Sequence, residues 1–91
     1  MSKAIADLSR GGIAAAAFGP VLRRLRNEAS HTQTTLSVAS GVDRTFISQL
    51  ERGIRQPSLA VFIDLARTLE LDPARLMTLT LREMKDPRRR P

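Results

Sequence analysis

The chain has 91 residues, no cysteine and a formal net charge of +6. This length fits one domain with a modest hydrophobic core, and the lack of cysteine excludes disulfides and thiolate metal sites. No apolar stretch is long enough to predict a transmembrane helix, and no signal-peptide core is recognisable near the N-terminus. We therefore expect a cytoplasmic protein that does not contact membranes. Its positive charge favours a polyanionic partner, nucleic acid before acidic lipid.

Residues 1–17 predict an N-terminal arm or a short extra helix, and the domain itself is expected to span residues 18–85. The first helix of the domain is predicted from Phe18 to Ala29. Pro20 then lies in its first turn, where the missing N–H costs nothing. The apolar residues of this helix are expected to face inward, and they are Val21, Leu22 and Leu25.

The stretch from Gln33 to Gly53 predicts two short helices joined by a tight turn. Gly41 lies in the turn, where a left-handed backbone favours glycine. Thr32 and Asp43 are suited to cap the two helices, because their side-chain oxygens can accept hydrogen bonds from free amides in the first turn. Apolar side chains at helical spacing are expected to pack the two helices together, and they are Leu36, Val42, Ile47 and Leu50.

One face of the second short helix has no apolar residue to bury. In a helix-turn-helix this face enters the major groove of DNA. Arginine can bind guanine there, glutamine can bind adenine, and threonine can contact the thymine methyl group. The candidate base contacts are Arg44, Thr45, Ser48 and Gln49.

Two further helices are predicted after the loop that follows Gly53. Ser58 is expected to cap a helix that ends at about Leu69, and Asp72-Pro73 predicts the start of a last helix that reaches about Lys85. Residues 86–91 are predicted to form a basic tail. Apolar positions of the first of these helices recur at helical spacing, and they are Leu59, Phe62, Ile63, Ala66 and Leu69.

The last helix carries an apolar stripe that is longer than a five-helix domain needs for its own core. A monomer would leave such a stripe exposed, so we expect a homodimer that buries it. The expected dimer contacts are Leu76, Met77, Leu81 and Met84.

The run QTTLSVASGVDRTFISQLERGIRQPSL resembles the helix-turn-helix of the Cro and phage-repressor family, also called the XRE type. The resemblance extends from about Phe18 to Met77. It implies an all-α fold, a compact five-helix lambda-repressor-like DNA-binding domain. Two positions depart from the family pattern. Ser37 replaces the usual alanine, and His31 replaces a large apolar residue, which weakens the hydrophobic staple at the helix start.

The resemblance also implies that Arg26 and Glu51 form a structural ion pair. Gln33 opens its helix, where its side chain and the free amides can meet a phosphate. The candidate phosphate contacts are Thr32, Gln33, Arg52 and Arg55.

The inventory of chemical groups gives no sign of an enzyme, a metal site or a cofactor. His31 is the one histidine, the acids are scattered, and there is no phosphate-cradling glycine loop or metal-ligand cluster. We expect a transcriptional regulator, a homodimeric repressor that reads a palindromic operator. Alternatives are an antitoxin that also binds a toxin protein, and a restriction–modification controller. A basic module that binds RNA or a membrane surface is a third class.

Overall fold

The computed structural model describes residues 12–85, so residues 1–11 of the predicted arm and the predicted basic tail at 86–91 lie outside the described residues. The described part has five helices and no strand: α1 Gly12–Glu28, α2 Gln33–Ser40, α3 Arg44–Glu51, α4 Leu59–Thr68 and α5 Pro73–Lys85. The predicted all-α, five-helix fold is confirmed.

Helix α1 begins at Gly12 and not at Phe18, so the predicted start is wrong. Pro20 consequently lies inside the helix and not in its first turn. The additional turns pack against the domain through small residues, because Ala15 and Ala17 are both buried. Alanine contributes little to a hydrophobic pattern, which is why the sequence did not reveal this part of the helix. The helix crosses the boundary at 17 that separated the predicted arm from the domain.

Gly19 lets α1 pass very close to the end of α3. A Cβ atom at this position would lie 2.5 Å from the carbonyl oxygen of Glu51 and 2.7 Å from that of Leu50. Both distances are far below van der Waals contact. The absence of a side chain at Gly19 therefore sets the distance between the two helices.

The core lies where the five helices meet. The rings of Phe18 and Phe62 pack with their centroids 5.5 Å apart. Leu59 shares the helical spacing of this apolar series but does not join the core, because it is 75% exposed. It is the first residue of α4, and Phe62, almost one turn later, makes the inward contact. The large side chains that are fully buried are Val21, Leu22, Leu36, Ile47, Leu50, Leu65 and Leu76.

Helix α5 has an inward and an outward apolar face. Leu76 is fully buried and Thr80, one turn later, is also buried. The assignment of Leu76 to a dimer surface is therefore wrong, because it faces the core of its own chain. Met77, Leu81 and Met84 are 43%, 48% and 39% exposed. They form a separate stripe, rotated by about 100° from the buried face.

Side-chain caps begin four of the helices, at the predicted residues. Thr32, Asp43 and Ser58 each accept a hydrogen bond from the backbone N–H three residues later. Asp72 Oδ1 accepts from the backbone N–H of Ala74, at 2.9 Å. Within residues 12–85, none of the helices combines the length and the apolar character needed to cross a membrane.

Candidate nucleic-acid interface

Two serine side chains form hydrogen bonds that fix the turn between α2 and α3, one as a donor and one as an acceptor. Gly41 has a φ of 77°, and its N–H donates to the carbonyl oxygen of Ser37. The Ser37 hydroxyl donates to the carbonyl oxygen of Val42 at 2.6 Å, and the Val42 N–H donates to Ser40 Oγ at 3.1 Å. Both backbone polar groups of Val42 are thus satisfied while its side chain is buried. The departure at Ser37 adds a contact that sequence reasoning missed.

Helix α3 presents a polar face to solvent. Its opposite face carries Ile47 and Leu50, which are fully buried. Arg44 and Ser48 form one polar row along the outer side, and Thr45 and Gln49 form another, because side chains four residues apart are neighbours on a helix. Arg44 and Thr45 are exposed, while Ser48 and Gln49 are half-buried. All four candidate base contacts therefore lie on one short helix, and Arg44 is its first residue.

The candidate phosphate contacts lie on segments next to α3. Thr32 is the exposed N-cap of α2, and Gln33 is the half-buried first residue of the same helix. Arg52 is the exposed C-cap of α3, and Arg55 is exposed in the loop that follows. The Cζ atom of Arg55 lies 5.8 Å from the centroid of the Phe46 ring.

The Arg26–Glu51 ion pair connects α1 to the C-terminal end of α3. Arg26 Nε donates to Glu51 Oε2 at 2.5 Å, and Arg26 Nη2 donates to Glu51 Oε1 at 3.0 Å. The hydrogen bond to the Glu51 carboxylate raises the pKa of Arg26 above its ordinary value, so the guanidinium stays charged at neutral pH. The side chains of both residues are almost fully buried.

Two further contacts extend this pair to the start of α2. Gln33 Nε2 donates to Glu51 Oε1 at 3.0 Å, and Arg26 Nη1 donates to the carbonyl oxygen of His31 at 2.8 Å. His31 Nδ1 in turn lies 2.9 Å from Thr35 Oγ1. The candidate phosphate contact at Gln33 is therefore oriented by the same carboxylate that anchors α3, a link that no sequence pattern indicated.

The charges around α3 favour an anion. The acids between residues 32 and 56 are Asp43 and Glu51. Asp43 caps α3 and Glu51 is paired with Arg26. Arg44, Arg52 and Arg55 therefore supply the free charge of this surface. Among residues 12–85, no group of three histidine, aspartate or glutamate side chains is arranged to hold a metal ion.

A family model described as "Helix-turn-helix" matches residues 22–76. The chain belongs to the XRE-type helix-turn-helix family of transcription regulators. This family is a class of DNA-binding regulators and not a class of enzymes.

Two helix-turn-helix relatives come from Sinorhizobium fredii (strain NBRC 101917 / NGR234). The uncharacterized HTH-type transcriptional regulator y4dL is 40% identical over 60 residues, which are 62% of this chain and 31% of y4dL. The uncharacterized HTH-type transcriptional regulator y4dJ is 36% identical over 62 residues, 68% of this chain and 80% of y4dJ. The match to y4dL thus covers less than a third of that protein.

Solved structures of two restriction-modification controller proteins are similar to the chain. The restriction-modification controller protein C.AhdI from Aeromonas hydrophila has 39% sequence identity and a TM-score of 0.66, over 68% of this chain and 94% of that chain. The controller C.Esp1396I, as a tetramer with its natural 35-base-pair operator, has 25% identity and a TM-score of 0.72. That comparison covers 80% of this chain and 96% of the other.

Proposed function

We propose that this helix-turn-helix protein binds a palindromic operator as a homodimer and represses transcription. The observation that carries the proposal is the surface of α3. Its polar face is exposed, its apolar face is buried, and the residues at its two ends are anchored by the Asp43 cap and the Arg26–Glu51 pair. A helix held in this way can enter the major groove as a rigid reader.

Base reading and phosphate binding are divided between two sets of side chains in this proposal. Arg44 reads guanine and Gln49 reads adenine, while Thr45 and Ser48 contact neighbouring base edges. Gln33 and Arg52 bind phosphates and set the position of α3 on the duplex without carrying sequence information. Thr32 and Arg55 add phosphate contacts at the same surface.

An apolar groove beside α5 supports the proposed homodimer. The groove has a volume of about 410 Å³ and lies between the first turns of α1, the start of α4 and the outer face of α5. The exposed stripe of Met77, Leu81 and Met84 lines it, together with Leu59. A second copy of the chain, related by a twofold axis, would cover this groove and present two α3 helices to the same face of DNA.

A restriction–modification controller is the form of regulator that the structural comparisons favour. C.AhdI and C.Esp1396I both carry that description, and C.Esp1396I was crystallised on its operator. The antitoxin alternative, with a toxin protein as a second partner, stays a prediction. A regulator that acts on DNA as proposed would work in the cytoplasm and needs no enzymatic activity.

Selection of bound duplexes from a random library tests the proposal. We expect one enriched sequence with two inverted half-sites whose centres are about 34 Å apart, one turn of DNA. Placed at a promoter, this duplex should lower reporter expression when the protein is present. Recovery of unrelated duplexes without a shared sequence would contradict the proposed function.

A further inference from the structure

Phe46, in the N-terminal half of α3, contacts Arg55 of the loop that follows the helix. Phe46 belongs to α3, and its half-buried ring packs against the hydrophobic core. Arg55 is exposed in the loop that follows α3. The distance of 5.8 Å between the Arg55 Cζ atom and the ring centroid is within the range of a cation–π interaction.

The guanidinium of Arg55 keeps its hydrogen-bonding capacity in this arrangement. Among residues 12–85 it makes no hydrogen bond and no ion pair, and its contact is with the Phe46 ring. An arginine guanidinium carries five N–H donors in one plane. Those donors therefore remain available to the oxygens of a phosphate, which arginine binds with two parallel hydrogen bonds.

We propose that Phe46 is a positioning residue for DNA binding, which holds the Arg55 guanidinium beside α3 for a backbone phosphate. The inference rests on the proposed function, since it assumes that α3 enters the major groove. An arginine on a loop loses side-chain entropy when it binds. The Phe46 ring reduces this loss of entropy, because it restricts the Arg55 side chain before DNA binds. Phe46 is part of α3, so the phosphate contact of Arg55 is positioned relative to the helix that reads the bases.

This role differs from a direct contact of the ring with a thymine methyl group. A direct contact would depend on the base opposite the ring and would persist without Arg55. A positioning role requires Arg55 and acts equally on every sequence, because phosphate contacts carry no sequence information.

A double-mutant cycle separates these roles. Affinities are measured for the wild type, Phe46→Leu, Arg55→Ala and the double variant, on the selected duplex and on the same duplex with its sequence scrambled. Leucine keeps an apolar side chain against the core but has no ring. We expect Phe46→Leu to weaken binding about two- to fivefold on both duplexes when Arg55 is present, the size of an exposed cation–π contact. It should have no effect when Arg55 is alanine.

The conservative variant Phe46→Tyr keeps the ring and should restore the coupling to Arg55. An equal loss from Phe46→Leu with and without Arg55, or a loss confined to the selected duplex, would overturn the proposal. A wild type that binds both duplexes equally would instead count against the proposed function, and the cycle on the scrambled duplex would still report the coupling.

A nuclear magnetic resonance measurement on the wild type tests the contact between Phe46 and Arg55 without depending on whether a variant folds. The ring current of Phe46 should shift the side-chain proton resonances of Arg55 upfield from those of an exposed arginine such as Arg52. Resonances of Arg55 without this shift would contradict the contact, whatever the variants do.

Discussion

The side chain of Glu51 is almost fully buried and accepts hydrogen bonds from two residues. Its Oε1 atom receives Arg26 Nη2 and Gln33 Nε2, and its Oε2 atom receives Arg26 Nε. A buried carboxylate is tolerated because these donors replace its hydration. Within residues 12–85, no buried side-chain nitrogen or oxygen lacks a hydrogen-bond partner. The stability of the domain should therefore depend on both members of the ion pair being present.

Removal of Arg26 alone should destabilise the protein severely. We expect Arg26→Met to lower the free energy of unfolding by about 3–5 kcal/mol, because it leaves the Glu51 carboxylate buried without its cation. The double variant Arg26→Met/Glu51→Leu should recover most of this loss, since no charge then remains. Chemical denaturation is measured for the wild type, both single variants and the double variant, and Arg24→Met on the exposed side of α1 is the control. Additive losses in the double variant would argue against this explanation.

Arg44 and Gln33 should respond differently to truncation. We expect Arg44→Ala to cost about 1–3 kcal/mol on the selected duplex and to relax the preference at one base pair of each half-site. Gln33→Ala should weaken binding to all duplexes about equally, because it removes a phosphate contact. Affinities on the selected duplex and its single-base variants distinguish the two. Uniform weakening by Arg44→Ala together with a changed base preference in Gln33→Ala would reverse the assigned roles.

The sequence predicted the helix caps but not every contact around them. Thr32 and Asp43 were recognisable because capping depends on residue type and on spacing within four residues. The bond from Ser37 to Val42 and the bond from Gln33 to Glu51 were not, since they depend on side-chain directions and on distances between helices. Contacts between residues that are close in the sequence can be predicted from it, whereas contacts between helices depend on how the helices pack.

The close approach of α1 to α3 determines how the candidate reading helix is oriented. Carbonyl oxygens of Leu50 and Glu51 face the Cα atom of Gly19, so the contact is between backbones. A backbone contact cannot adjust by changing a side-chain rotamer. The relative placement of the two helices should therefore be very sensitive to a single methyl group.

We expect Gly19→Ala to destabilise the protein by about 1–3 kcal/mol, although alanine normally favours a helix over glycine. The added Cβ atom would force α1 away from the end of α3. The midpoint of thermal unfolding measures the effect, and Arg23→Ala on the exposed side of the same helix serves as the control. Stabilisation by Gly19→Ala would show that the helices can separate without cost.

At the level of whole helices, the sequence predicted four of the five starts. Helices α2, α3, α4 and α5 begin at the residues that follow a polar cap. No polar capping residue directly precedes Gly12 in the sequence, and the first buried residues of helix α1 are the alanines Ala15 and Ala17. The sequence also could not tell which face of α5 meets the core, because Leu76 and Met77 are adjacent and both apolar.

The proposed self-association is a property of the whole molecule, and the groove beside α5 supports it. The exposed apolar side chains of Met77, Leu81 and Met84 lie around one concavity. A dimer would remove this surface from water and stabilise the pair through the hydrophobic effect.

Leu81→Glu should therefore convert the proposed dimer into a monomer, because it places a charge in the apolar interface. Sedimentation equilibrium at micromolar concentration measures the mass, and Val38→Glu is the matched control. Val38 is 81% exposed on α2 and does not line the groove. A wild type that remains at 10.1 kDa would argue against the dimer.

The most direct test of the whole account changes the distance between the two half-sites of the selected duplex. A homodimer that reads DNA with two α3 helices requires half-sites one turn apart on the same face. Insertion of about five base pairs, half a turn, rotates one half-site to the opposite face. We predict that affinity then falls to that of the scrambled duplex. Affinity that is unchanged by the insertion would contradict a rigid dimer that reads both half-sites together.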